Sequence, residues 1–150
     1  MDAPYAKLSE LLCFDLYAAS RALTAVYRPL LAQLGLTYPQ YLVLVVLWRD
    51  GPCTVKELST TLRLDYGTLT PLLRRMEGNG LLTRQRRDDD ERSVNVGLTE
   101  VGSSLRSQST AIQDAIRAAL GLTPAQATEL QATLQSVTTS AAAVAAAHAH

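Results

Sequence analysis

Histidine, cysteine, aromatic residues and net charge are all scarce in this chain. The two histidines, His148 and His150, sit in the terminal tail, so no metal site can be assembled around them and neither metal nor cofactor is expected. The two cysteines, Cys13 and Cys53, stand forty positions apart. Such a pair is no disulfide framework, and a reducing cytoplasm is the expected compartment. The longest apolar stretch, Tyr41 to Trp48, falls far short of the roughly 20 residues that a membrane helix needs. Met1-Asp2-Ala3-Pro4-Tyr5 holds no basic region feeding an apolar run, so a secretory signal is not expected. Aromatics make up 5% of the residues against 47% hydrophobic overall, which predicts a folded chain with a core of Leu, Val and Ala.

Charge is patterned rather than absent. The formal net charge is +0, so any nucleic-acid function must rest on a local surplus. Between Arg63 and Arg87 there are six Arg against two acids, Asp65 and Glu77, and the compensating acids follow at once in Asp88-Asp89-Asp90-Glu91.

Helix starts are marked by three capping boxes, Thr37…Gln40, Thr54…Glu57 and Thr123…Gln126. In each, the threonine hydroxyl and the Glu or Gln side chain satisfy one another's orphan amides. Pro39 and Pro124 fall in first turns, where proline is tolerated. Six helices are expected: about Ala6 to Leu34, Tyr38 to Asp50, Val55 to Leu62, Tyr66 to Glu77 opened by Asp65, a fifth opened by Thr99, and a sixth from Thr123. The fourth buries Leu69, Leu72, Leu73 and Met76 at helical spacing, and Pro71 should bend or tighten its first turns. The fifth is expected to carry Val101, Leu105, Ile112 and Ile116 on one side. Two short strands, Leu81 to Arg86 and Ser93 to Val96, flank a charged turn. The alanine-rich end, Ala141 to Ala147, is expected to fray.

A short helix, a tight turn, a second helix and a β-hairpin make a mainly α winged helix-turn-helix. The second helix of such a pair lies in the major groove. Its apolar stripe points inward, which leaves Tyr66, Thr68, Thr70 and Arg74 outward to meet base edges or phosphates. On the hairpin, Arg84, Arg86 and Arg92 are the candidate wing cations. Arg92 is suited to a narrow minor groove, and the neighbouring Asp90 could orient it.

These segments carry a family resemblance. The run Leu64 to Glu77, then Gly80-Leu81, then Asp88-Asp89-Asp90-Glu91-Arg92-Ser93 resembles the MarR family of bacterial regulators. The Gly67-Thr68-Leu69-Thr70-Pro71 segment and Leu12-Cys13-Phe14 point to its organic hydroperoxide resistance branch. The resemblance runs from about Leu8 to Leu105 and more loosely beyond. It implies an obligate homodimer formed through the first and last helices, a pseudo-palindromic double-stranded DNA operator, usually repression, and Arg92 as the minor-groove arginine. The expected organisation is residues 1–36 as dimerisation and sensor helix, 37–98 as DNA-binding region and 99–150 as C-terminal dimerisation helices, intertwined as one structural domain.

Cys13 is the candidate sensor. Tyr17 lies one turn on, on the same helical face. Tyr27 is fourteen residues on, at nearly the same angle but roughly 21 Å further along a straight helix. A Tyr27–Cys13 contact must therefore join two subunits. The resemblance implies that arrangement, with Tyr17 and Tyr27 bonding the thiolate across the interface. Organic hydroperoxide would oxidise Cys13 to a sulfenic acid, and a small thiol could then form a mixed disulfide. Cys53, beside a capping threonine, is expected to pack between helices, although a helix N-terminus can lower a thiol pKa. No cysteine follows Cys53, so a one-cysteine mechanism is expected. Competing readings are a MarR-type repressor controlled by a non-covalent small molecule, a thiol peroxidase, and an architectural DNA binder. A regulator that is not an enzyme is the reading favoured.

Overall fold

The structure is a computed structural model. It describes residues 6–149, with the backbone alone at Asp90, Glu91 and Arg92. The chain divides into one compact unit that reaches Ile116 and a second that begins at Arg117.

In the first unit, a 3₁₀ turn at Leu8–Glu10 precedes α1, Leu12–Ala32. The long first helix is therefore shorter at its start than the expected Ala6. It runs unbroken through Pro29, and Gly35, in the left-handed region at φ 68°, turns the chain at its end. Helix α2, Tyr38–Asp50, opens with the Thr37–Gln40 box. Helix α3, Val55–Leu62, opens with the Thr54–Glu57 box. Helix α4, Tyr66–Gly78, is capped by Asp65, whose carboxylate accepts from the Thr68 amide at 2.7 Å. It carries Pro71 inside it without a break. The four apolar positions assigned to its inner face, Leu69, Leu72, Leu73 and Met76, are all buried.

Three strands form one antiparallel sheet in the order β1-β3-β2, with β1 Cys53–Thr54, β2 Leu82–Arg87 and β3 Asp90–Leu98. The hairpin is longer than the sequence suggests, and β1 was not foreseen. Two residues are too few to show a strand period, and only pairing across to Val96 and Asn95 makes them one. A bulge between Arg86 and Arg87 interrupts the hairpin register next to its tip.

The expected fifth helix is broken: α5, Glu100–Ser104, leads through a 3₁₀ segment, Leu105–Gln108, into α6, Ser109–Leu120. The tighter 3₁₀ turn shifts the phase between the two parts. As a result Val101 faces outward while Ile112 and Ile116 are buried. The core gathers Tyr27 and Leu31 from α1, Tyr41, Val43, Leu44 and Leu47 from α2, Leu58 from α3, the inner face of α4, Leu82 and Val96 from the sheet, and the two isoleucines of α6.

In the second unit, α7 spans Pro124–Ala147 behind the Thr123–Gln126 box. It does not fray where expected. Alanine is the best helix former, and neither Gly nor Pro interrupts the run. Leu130, Leu134, Val137 and Val144 are exposed along it. Among the described residues no helix is long and apolar enough to cross a membrane.

Candidate DNA interface and redox site

Helix α3, the turn at Arg63 and α4 form the helix-turn-helix, with β2 and β3 as the wing. Arg63 adopts the left-handed conformation at φ 54° in that turn, and the Ser59 hydroxyl donates to the Leu64 carbonyl at 2.6 Å across it. On α4, Tyr66, Thr68 and Arg74 are exposed and Thr70 is half-buried. A groove of about 440 Å³ between α3, α4 and the wing brings Tyr66 and Thr70 together with Lys56, Arg84 and Ser93. Lys56 was missed in the sequence. Its signal was a lone basic residue in the first turn of the shorter helix, which mattered only once α3 stood beside the groove.

Arg84 does not project as a free wing cation. Its backbone amide donates to Glu77 Oε2 at 2.9 Å, and its Nη2 donates to Glu77 Oε1 at 3.1 Å. The guanidinium thus fastens the wing to the end of α4, and these bonds hold the Glu77 carboxyl below its ordinary range. Arg87 is likewise tied, through Nε and Nη2, to the two Asp89 carboxylate oxygens at 3.0 and 2.9 Å. Arg86 is exposed between them. The side chains of Asp90 and Arg92 lie outside the described residues.

Cys13 is exposed in the second position of α1. Tyr17, 59% exposed, stands one turn on, with the Arg21 guanidinium carbon 5.5 Å from its ring centroid. Tyr27 is in a different environment: 7% exposed, with its ring 4.6 Å from that of Tyr38 and 5.8 Å from that of Tyr41. Burial first, then the neighbouring Tyr38, raises the Tyr27 hydroxyl pKa, and a hydrogen bond with the Gln113 side chain partly offsets the rise. Burial also raises Tyr38. Both phenols therefore stay protonated at neutral pH and can act as donors. Because α1 is one helix from Leu12 to Ala32, Cys13 and Tyr27 of one chain remain roughly 21 Å apart.

Tyr38 was not singled out from the sequence, where it reads as the first residue of α2. Its place beside Tyr27 arises from the packing of α1 on α2, and no local pattern announces it. Cys53 departs from the sequence expectation in its place but not in its chemistry. It lies in β1 opposite Val96 rather than between helices. Its thiol pKa is raised, by burial and then by Glu57 and Asp50, so the helix N-terminus does not activate it.

Comparison with known proteins places this geometry. The MarR family model matches residues 36–94. The chain is 49% identical over 125 residues, covering 83% of each protein, to the organic hydroperoxide resistance transcriptional regulator of Bacillus subtilis. Among solved structures it resembles reduced AbfR bound to DNA, with a TM-score of 0.74 at 34% identity over 87% of this chain and 92% of that one. It also resembles disulfide-formed AbfR, with a TM-score of 0.64 at 36% identity over 87% and 91%. AbfR is a protein of Staphylococcus epidermidis. With this identity spread over most of both chains, and with the helix-turn-helix and wing in place, the chain belongs to the MarR family of transcriptional regulators.

Proposed function

We propose that this regulator is a homodimeric, peroxide-responsive repressor that leaves a pseudo-palindromic operator when organic hydroperoxide oxidises Cys13. The observation that carries the reading is the geometry of α1. One unbroken helix displays Cys13 at its start and buries Tyr27 against Tyr38 near its end, so the phenols can serve only the partner's Cys13. The relatives support it: one is an organic hydroperoxide resistance regulator, and AbfR has been seen both reduced on DNA and in a disulfide form.

In the reduced dimer, the hydroxyls of Tyr17 and Tyr27, with Tyr38 beside Tyr27, donate to the partner's Cys13 thiolate. The thiolate sulfur attacks the peroxide O–O bond. An S–O bond forms, the O–O bond breaks, sulfur loses two electrons, and the alkoxide leaves to take a proton from water. The product is a sulfenic acid, a poorer acceptor than the thiolate. A small thiol can then condense with it, forming a mixed disulfide and releasing water. Cys53, with its raised pKa and its place in β1, is not suited to resolve it.

On DNA, α4 enters the major groove with Tyr66, Thr68, Thr70 and Arg74. The wing presents Arg86, with Arg92 as the minor-groove arginine oriented by Asp90, and Lys56 meets a phosphate beside the groove. Arg84 acts from behind by fixing the wing. Residues 37–98 read DNA, and residues 1–36 and 99–150 dimerise. Exposed Leu8, Leu12 and Phe14 in the first segment and Leu130 and Leu134 in the last supply apolar surface that a monomer would leave uncovered. Oxidation need supply only a few kcal/mol of differential stability to move the paired helices off the ~34–36 Å spacing of one DNA turn.

The test is operator release, followed by fluorescence anisotropy, on adding cumene hydroperoxide to wild type, Cys13→Ser and Cys53→Ser. The account expects wild type and Cys53→Ser to release DNA and Cys13→Ser to hold it. Release by Cys13→Ser at the wild-type rate contradicts it and favours control by a bound small molecule.

A further inference from the structure

Arg63 is the one described residue other than glycine in the left-handed region, at φ 54° and ψ 39°. Elsewhere the chain gives positive φ to Gly35, Gly51, Gly80 and Gly121. A Cβ crowds the backbone in this conformation, and glycine adopts it freely. The surrounding turn fixes it. The Leu64 amide donates to the Ser59 carbonyl at 3.1 Å, and the Ser59 hydroxyl donates to the Leu64 carbonyl at 2.6 Å. Asp65 then caps α4 through the Thr68 amide at 2.7 Å. A strained residue held in this way points to a use for its side chain.

Arg63 is exposed, and among the described residues no hydrogen bond or ion pair holds its guanidinium. Such cations are scarce in a chain whose net charge is +0, since the wing's Arg84 and Arg87 are already bound to Glu77 and Asp89. Arg63 is also well placed. It precedes Tyr66 by three residues, which span at most about 11 Å, and the major groove is about 12 Å wide between its phosphate rows. A cation that near a residue in the groove reaches the phosphates along its edge. We propose that Arg63 is a phosphate-binding residue of the DNA interface, standing at a turn position that glycine would fill with less strain. This rests on the reading that α4 enters the major groove.

The experiment uses full-length protein and a fluorescein-labelled duplex of about three helical turns, selected from a random pool by wild type, with a scrambled duplex beside it. Arg63→Gln keeps a polar side chain without the charge, Arg63→Lys keeps the charge, and Arg63→Gly removes both charge and strain. Each phosphate contact adds about 0.9 to the slope of log affinity against log salt, and a dimer makes the contact twice. The advantage of wild type over Arg63→Gln should therefore shrink about tenfold between 50 and 200 mM salt. The loss should be equal on both duplexes, since phosphates carry no sequence, and Arg63→Lys should recover most of it. Arg63→Gly should bind as weakly as Arg63→Gln yet have a higher urea midpoint than Arg63→Gln or wild type. If Arg63→Gln binds as wild type does while Arg74→Ala loses affinity for the selected duplex, the role assigned to Arg63 is overturned and the placement of α4 stands. If Arg74→Ala also binds as wild type, the placement itself falls. A loss confined to the selected duplex would make Arg63 a reader of bases and contradict the phosphate contact. An Arg63→Gly midpoint no higher than wild type would contradict the strain.

Discussion

Gly102 shows how tightly the wing is joined to α5. A Cβ at this position would overlap the Leu81 carbonyl and press on the Leu98 side chain. The Gly102 carbonyl accepts the indole N–H of Trp48, the chain's single tryptophan, at 2.9 Å. Gly102→Ala should therefore cost on the order of 3 kcal/mol, as a backbone must move to admit the methyl group. Urea unfolding followed by Trp48 fluorescence measures it, and a wild-type midpoint contradicts the close approach. At this scale the sequence was partly legible. Cys13 and Tyr27 could be placed by helical arithmetic, which keeps them apart within one chain. Tyr38 and Lys56 could not be found that way, because each gains its neighbours from a different helix. Arg84 was read as a cation for DNA because the pattern shows charge but not the carboxylate waiting at the end of α4.

Elements were legible where an end is signalled chemically. Thr37, Thr54 and Thr123 cap the helices they were expected to cap, and Asp65 and Thr99 do likewise. The features that escaped depend on pairing or on a change of helical pitch: strand β1, the 3₁₀ break before α6 and the bulge at the wing tip. The wing's attachment to α4 makes a prediction about acid. The Glu77 carboxyl has its pKa lowered in the folded state, first by the side chain and then by the backbone of Arg84. A carboxyl depressed by folding stabilises the protein above the ordinary carboxylate range, and that stability is lost as pH falls through the depressed value. Glu77→Gln should thus weaken wild-type stability at neutral pH and flatten its decline in acid. Glu57 and Asp65, depressed by their capping bonds, keep a residual slope. Denaturant midpoints at pH 7, 5, 4 and 3 decide it: parallel curves for the two proteins would mean that the Glu77–Arg84 bonds contribute nothing.

At the scale of the whole molecule, the proposed function assigns the sulfur and the phenols that serve it to different subunits, so that each sensor would be complete only in the dimer. The same proposal builds that dimer from the apolar side chains exposed at the start of α1 and along α7. The same division of the site allows complementation. In a heterodimer of a Cys13→Ser chain and a Tyr27→Phe chain, one of the two sites loses both its sulfur and its phenol. The other keeps the intact Cys13 of one chain opposite the intact Tyr27 of the other. The decisive measurement is the rate at which this heterodimer is oxidised by one equivalent of cumene hydroperoxide, followed by intact mass. The account predicts one oxidised sulfur per heterodimer at the wild-type rate per site, well above the Tyr27→Phe homodimer. A heterodimer that reacts as slowly as the Tyr27→Phe homodimer would contradict it.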